Sequence, residues 1–154
     1  HTSCAWVPER YTTRSAVTGG LLCQFDYLDK NFPMDEAGRL IKEARQDLFA
    51  WYGDFYPLTP ARVAPDEFVA YQFHRPDLDA GVIRAFRRPE CRYKGLILEI
   101  YGIDTEKDYT VEFIDAEGNS STRTMPGKEL GDSLELKIDK PGGSLLVRYT
   151  GRAL

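Results

Sequence analysis

Across Trp51-Tyr52-Gly53-Asp54-Phe55-Tyr56-Pro57-Leu58-Thr59-Pro60 the apolar residues of this chain change their spacing from every third or fourth position to every second. The first beat belongs to a helix face and the second to a half-buried strand, so two kinds of architecture must meet at this joint. Gly53 supplies a helix stop. Pro57 and Pro60 bracket a dipeptide that must be extended, because the residue before a proline is pushed out of the α region. A helix therefore ends here and a β-rich part begins.

Upstream, Met34, Ala37, Leu40, Ile41, Ala44, Leu48, Trp51 and Tyr52 fall on one helical face. The other face offers Asp35 with Arg39 and Arg39 with Glu43 as i,i+4 pairs of opposite charge, and Asp35 and Glu36 sit where the helix dipole favours acids. Asp29-Lys30-Asn31-Phe32-Pro33 before it reads as a turn. The run Ala16 to Tyr27 has a nearly continuous apolar centre at Leu21, Leu22, Cys23 and Phe25. That pattern fits a strand buried on both faces better than a short buried helix, although periodicity alone leaves both open. Residues His1 to Ser15 are aperiodic and read as loop.

Downstream, seven segments carry strand signals: Glu67 to Arg75, Gly81 to Arg88, Gly95 to Tyr101, Tyr109 to Asp115, Ser121 to Met125, Ser133 to Ile138 and Ser144 to Thr150. Between them lie Pro76 to Asp79, Asp104 to Asp108, Glu117-Gly118-Asn119, Pro126-Gly127 and Lys140-Pro141-Gly142-Gly143, all turn chemistry. Short strands at near-regular spacing predict an antiparallel β-sandwich in preference to a barrel. The expected fold class is thus mainly β: a C-terminal antiparallel β-sandwich over residues 61–154, preceded by one strand and helix over residues 1–60. Strand, helix, then an all-β module is the order at the end of a (β/α)8 barrel enzyme with a C-terminal β-domain. A complete barrel takes eight such units and about 250 residues, so 1–60 can be only its last unit.

Charge narrows the partners. Twenty-four acids against 20 bases, with the bases scattered, give no electrostatic footprint for nucleic acid or an anionic membrane. No apolar run is long enough to span a bilayer. Cys4, Cys23 and Cys91 match no zinc spacing and are odd in number, and the two histidines are far apart. No metal or cofactor is expected, the thiols read as reduced, and the cytoplasm is the expected compartment.

The joint Tyr52 to Pro60, followed by Phe68-Val69-Ala70-Tyr71-Gln72-Phe73-His74-Arg75-Pro76 and by Val82-Ile83-Arg84-Ala85-Phe86-Arg87-Arg88, resembles the junction between barrel and C-terminal domain in α-galactosidase (melibiase) type glycoside hydrolases. Gly20 to Asp29 followed by Ala37 to Trp51 is similar to that family's last strand and helix. The tail is similar too, with Gly102-Ile103-Asp104 before Tyr109-Thr110-Val111, and Gly127-Lys128-Glu129-Leu130 before a last hairpin. The resemblance implies retaining hydrolysis of α-galactosides by two carboxylates about 5 to 5.5 Å apart. In that family both are aspartates on earlier barrel strands, and no segment here matches those strands. No catalytic residue is therefore assigned, and the chain alone is expected to be inactive. Its expected partners are the catalytic barrel of a parent chain, which the sandwich would pack against and stabilise, and a carbohydrate bound through that parent. A homo-oligomer is the remaining partner, since one strand and helix left alone would need a further surface, such as a second copy, to cover their apolar faces.

Four residues are candidates for touching sugar. Gln24 and Asp26 lie near the carboxyl end of the expected strand, where barrel enzymes place their sites; the competing reading has Asp26 and Asp29 capping the turn into the helix. Trp6 could be a stacking platform and Arg14 a hydroxyl contact, against a plain loop aromatic and a solvated arginine. His74 and Arg75 read as a strand end facing water. Arg84, Arg87, Arg88 and Arg92 read as a surface neutralised by Glu90, Asp77 and Asp79. Asn119-Ser120-Ser121 fits a glycosylation acceptor, which matters only in a secreted chain. Two other functions stay open for the sandwich: a carbohydrate-binding module with its own site, or a structural and oligomerisation domain. The lack of tryptophan beyond Trp51 favours the structural role.

Overall fold

The computed structural model describes residues 4–60 and 64–151. The chain divides into two compact units, His1–Tyr52 and Gly53–Leu154.

The first unit runs β1 (Cys4–Ala5), α1 (Arg10–Ala16), β2 (Leu22–Cys23), α2 (Met34–Gln46) and a 3-10 turn (Leu48–Tyr52). β1 and β2 are parallel, Cys4 opposite Leu22 and Ala5 opposite Cys23. Strand, helix, strand, helix makes two β/α repeats where the sequence pattern showed one. α2 forms where the apolar stripe predicts it and buries Ala37, Leu40 and Ala44. It stops earlier than the stripe does: the backbone N–H of Asp47 donates to the carbonyls of Ala44 and Arg45, and the chain tightens into the 3-10 turn.

α1 replaces the loop expected before Ser15. Arg10-Tyr11-Thr12-Thr13-Arg14-Ser15-Ala16 has no apolar stripe to announce a helix. What it has is Arg10 and Arg14 one turn apart, and both reach Glu43 of α2. The predicted strand Ala16 to Tyr27 shrinks to the two residues of β2, because Ala16 ends α1 and Gly19 takes a left-handed φ of 131°. Leu22 is 46% exposed, so β2 is not a strand covered on both faces. Among the described residues β2 has a neighbour only on the β1 side.

The second unit contains all seven expected strands and one more. In chain order they are β3 (Asp54–Pro57), β4 (Phe68–Arg75), β5 (Ala80–Arg87), β6 (Gly95–Leu98), β7 (Asp108–Ile114), β8 (Ser120–Pro126), β9 (Leu134–Lys137) and β10 (Ser144–Thr150). Six form one antiparallel sheet in the order β3-β4-β5-β10-β7-β8, and β6 pairs with β9 in a separate two-stranded sheet. Ile83, Ala85, Val111 and Val147 on one face of the large sheet pack with Leu98, Ile100, Leu134, Leu136 and Ile138 from the small one. This is the predicted sandwich, with very unequal halves. On the opposite face of the large sheet Phe55 meets Tyr71 and Phe73 at ring distances of 5.8 and 5.2 Å.

Pro126-Gly127, expected as a turn, instead opens a short helix, α3 (Gly127–Asp132), that buries Leu130. Gly127 is needed there because a Cβ would collide with the Asp104 carbonyl oxygen. The arginine group is not the expected surface either. Arg84 and Arg87 are buried, and Arg87 donates to the carbonyls of Cys91 (2.9 Å), Ile138 (3.1 Å) and Asp139 (2.6 Å). A guanidinium fork can be desolvated when carbonyls satisfy it, which a count of neighbouring acids does not anticipate. Asp77 pairs with Arg75, and Asp79 with Lys107.

Candidate functional site

The parallel pair β1–β2 puts both carboxyl ends on the same side, and three of the four candidate sugar contacts follow from that. Trp6 leaves β1 and Gln24 leaves β2 one position past the ladder, held together by the Gln24 N–H donating to the Ala5 carbonyl at 2.9 Å. The Trp6 side chain is 66% exposed, and the side chains of Gln24 and Asp26 are exposed as well. Asp29, not Asp26, does the capping: its Oδ1 accepts from the Asn31 N–H at 2.9 Å. Asp26 contributes its backbone carbonyl to the same turn, 3.2 Å from the Asp29 N–H. The carboxylate of Asp26 forms no hydrogen bond or ion pair among the described residues. An indole face, an amide that both donates and accepts, and a carboxylate thus share one end of a parallel strand pair. That set suits a ligand with an apolar face and a rim of hydroxyls.

Arg14 is not part of this group. It lies in α1, not in a loop, and its side chain is 3% exposed. Its Nε donates to Glu43 Oε1 at 2.7 Å and its Nη2 to Oε2 at 3.1 Å, while Arg10 Nε reaches Oε2 at 3.3 Å. Burial would raise the Glu43 pKa, but the hydrogen bonds and charges of the two arginines outweigh it and hold the carboxyl below its usual value. The guanidinium that the sequence offered to a sugar hydroxyl is committed to joining α1 to α2.

A second polar group, unforeseen from the sequence, lies inside the sandwich. His74 is 2% exposed, not at a wet strand end. Its Nδ1 is 2.8 Å from the Tyr149 hydroxyl, which also accepts from Gln72 Nε2 at 2.7 Å. Gln72, Tyr149 and His74 thus form one hydrogen-bonded chain, the hydroxyl bridging the amide and the imidazole. Gln72 further donates Nε2 to the Tyr101 carbonyl at 2.7 Å and accepts the Tyr101 N–H on Oε1 at 3.0 Å. Gly102, at φ 75°, lies flat on the His74 ring, where a Cβ would come within 2.6 Å of Cδ2. Burial pushes the His74 pKa down and the Tyr149 pKa up, so both groups stay uncharged. No ligand can reach them without opening the core, and their work is to hold the sandwich. Among the described residues no group of three or more His, Cys, Asp or Glu side chains could hold a metal ion, and no helix is long and apolar enough to cross a membrane.

With this arrangement set out, solved structures supply the match. AgaB from Geobacillus stearothermophilus, a GH36 alpha-galactosidase, superposes with a TM-score of 0.70 over 93% of this chain at 18% identity. The chain shares its fold with GH36 alpha-galactosidases. Variants of AgaA from the same organism, one in complex with raffinose and one with stachyose, each match with a TM-score of 0.68 over 92% of the chain, also at 18% identity. The chain spans 19% of the length of each of these structures. No family model and no curated protein matches the sequence. The mainly β fold and the likeness to an α-galactosidase type structure, both expected from the order of motifs, therefore hold at the level of fold.

What the sequence does not reveal is the pairing of these residues, because their partners are distant. Arg14 meets Glu43 across 29 positions and His74 meets Tyr149 across 75. The one local hint was Arg10 and Arg14 at helical spacing in an otherwise featureless stretch.

Proposed function

We propose that this chain is the C-terminal part of an α-galactosidase-like glycoside hydrolase. In this reading the first unit supplies the last strands and helices of a catalytic (β/α)8 barrel, and the sandwich is its stabilising module. The observation that carries it is that both units, the parallel β/α repeats and the unequal antiparallel sandwich, superpose on AgaB with a TM-score of 0.70 over 93% of the chain. Trp6, Gln24 and Asp26, at the carboxyl ends of β1 and β2, contribute to the rim of the sugar site, because that end of a barrel is where substrates bind. Arg14 acts one step back, fixing α1 against α2 and so the strand ends that both helices follow. The two catalytic carboxylates of a retaining mechanism come from other barrel strands, and this chain alone does not turn over. The free thiols of Cys23 and Cys91 support residence in the cytoplasm. The intact parent is then the unit that binds carbohydrate.

The coding sequence contiguous with His1 tests the reading. About six further strand and helix repeats with aspartates at strand ends are expected, to complete the eight of a barrel. The joined protein is expected to hydrolyse an α-galactoside while the 154-residue chain does not. Upstream sequence without such repeats, or a joined protein without that activity, overturns it.

A further inference from the structure

The two halves of the sandwich differ in length as well as in strand number. β7, β8 and β10 have seven residues each, whereas β6 and β9 have four. At about 3.3 Å per residue that is roughly 23 Å of sheet under roughly 13 Å of cover. At one end α3 closes the difference by burying Leu130 in the core that also holds Met125. At the other end, beside the turn that joins β7 to β8, nothing among the described residues closes it. A cleft of about 470 Å³ opens there, within the size range of ligand sites.

Its floor is apolar: Phe113 and Leu145, from the core face of the large sheet. The Arg123 guanidinium sits 5.1 Å from the centre of the Phe113 ring. Its walls are polar and balanced in charge, with Asp115 and Glu135 against Arg123 and Lys137. Two acids and two bases interleaved in this way cancel most of the field that would draw in an ion. The walls are also prepared for hydrogen bonding. Asp115 is fixed by the backbone N–H groups of Glu117 (2.9 Å) and Asn119 (2.8 Å) and by Asn119 Nδ2 (2.9 Å). Glu135, exposed on β9 of the small sheet, has a carboxylate with no hydrogen bond or ion pair among the described residues. The ion pairs of Arg123 and Lys137 among the described residues are with exposed carboxylates, Glu129 at 3.8 Å and Asp139 at 3.2 Å, pairs weak enough to be exchanged for a ligand.

Apolar floor, donors and acceptors in equal supply, and no net charge describe the complement of a molecule with hydrocarbon faces and hydroxyl edges. We propose that the open end of the sandwich is a non-catalytic cleft for a neutral saccharide, seated on Phe113 and Leu145 and hydrogen-bonded by Ser121, Arg123, Glu135 and Lys137. A second hollow of about 300 Å³ shares Asp115, Lys137 and Leu145 with the first, so the ligand is a chain of sugars and not a single ring. The proposed parent enzyme bears on this inference only through the choice of probe, which is stachyose.

The test is a titration of the 154-residue chain with stachyose followed by backbone amide resonances. Saturable shifts are expected at Ser121, Arg123 and Leu136, with the affinity falling at least tenfold in Glu135→Ala and in Arg123→Ala. Both substitutions are at exposed positions, and an unchanged pattern of remaining resonances shows that the fold is kept. Absence of shifts in this region, or equal affinity in both variants, overturns the cleft. Shifts at Trp6, Gln24 and Asp26 report separately on the sugar rim proposed at the strand ends, so either site can fail without the other.

Discussion

Glu43 holds two arginines at once and ties α1 to α2. Removing one partner of a buried pair leaves the other charge desolvated, which costs about 3–5 kcal/mol. Arg14→Ala is expected at the low end, about 3 kcal/mol, because Arg10 remains within reach. Urea unfolding followed through the helical signal measures it. The sign of the pH dependence follows from the lowered Glu43 pKa. Its stabilising contribution is complete above the unfolded value near 4.5 and is lost as pH falls through the folded value, and Glu43→Gln removes that acid-side loss. His74 works in a different window. Burial lowers its pKa against smaller opposing effects of Asp79 and Asp54, so the unfolded chain takes up a proton first. Stability is expected to be full above about 6.5 and to decline below it, toward the folded value. An imidazole resonance of His74 that titrates at or above 6.5 would contradict this.

At the scale of elements, what the sequence made legible was whatever repeats locally. Seven of the eight strands of the second unit announce themselves in the sequence, and α2 by a stripe that begins at Met34 and buries Leu40. Leu40→Ala is expected to cost about 2–5 kcal/mol, against less than about 0.5 for Arg39→Ala, whose partner Glu36 is one turn away on the surface. Comparing the two unfolding midpoints checks that the stripe, not the charge pairs, holds the helix. The pairs themselves were misjudged: Arg39 bonds Glu36 and not Asp35, and Glu43 turns to α1. α1 and α3 were illegible because neither has a stripe; one is fixed by ion pairs and the other by a glycine that fits under a carbonyl. Of the candidate sugar residues, Gln24 and Asp26 follow β2 and Trp6 follows β1, positions suggested by the apolar run and by the loop ahead of it. Arg14 was misplaced because its partner is not local.

Over the whole molecule the two units contrast in how their strands are secured. β5 lies between β4 and β10 with eight residues in the ladder, whereas β1 and β2 share two residue pairs. A two-residue ladder gives little protection by itself. Hydrogen exchange is therefore expected to release the amide of Gln24, bonded to Ala5, orders of magnitude sooner than those of Ile83 and Val147. Equal protection at these positions would show that the first unit is braced in some way its strands do not reveal.

The sandwich has its own brace in Gln72. Its amide oxygen accepts from the Tyr101 N–H and its amide nitrogen donates to the Tyr101 carbonyl, so a side chain pairs with this residue as a neighbouring strand would. Glutamate would offer no donor, asparagine falls a methylene short, and methionine presents neither partner. At an apolar core position volume alone must be kept, whereas here length, donor and acceptor must all be supplied together by one side chain.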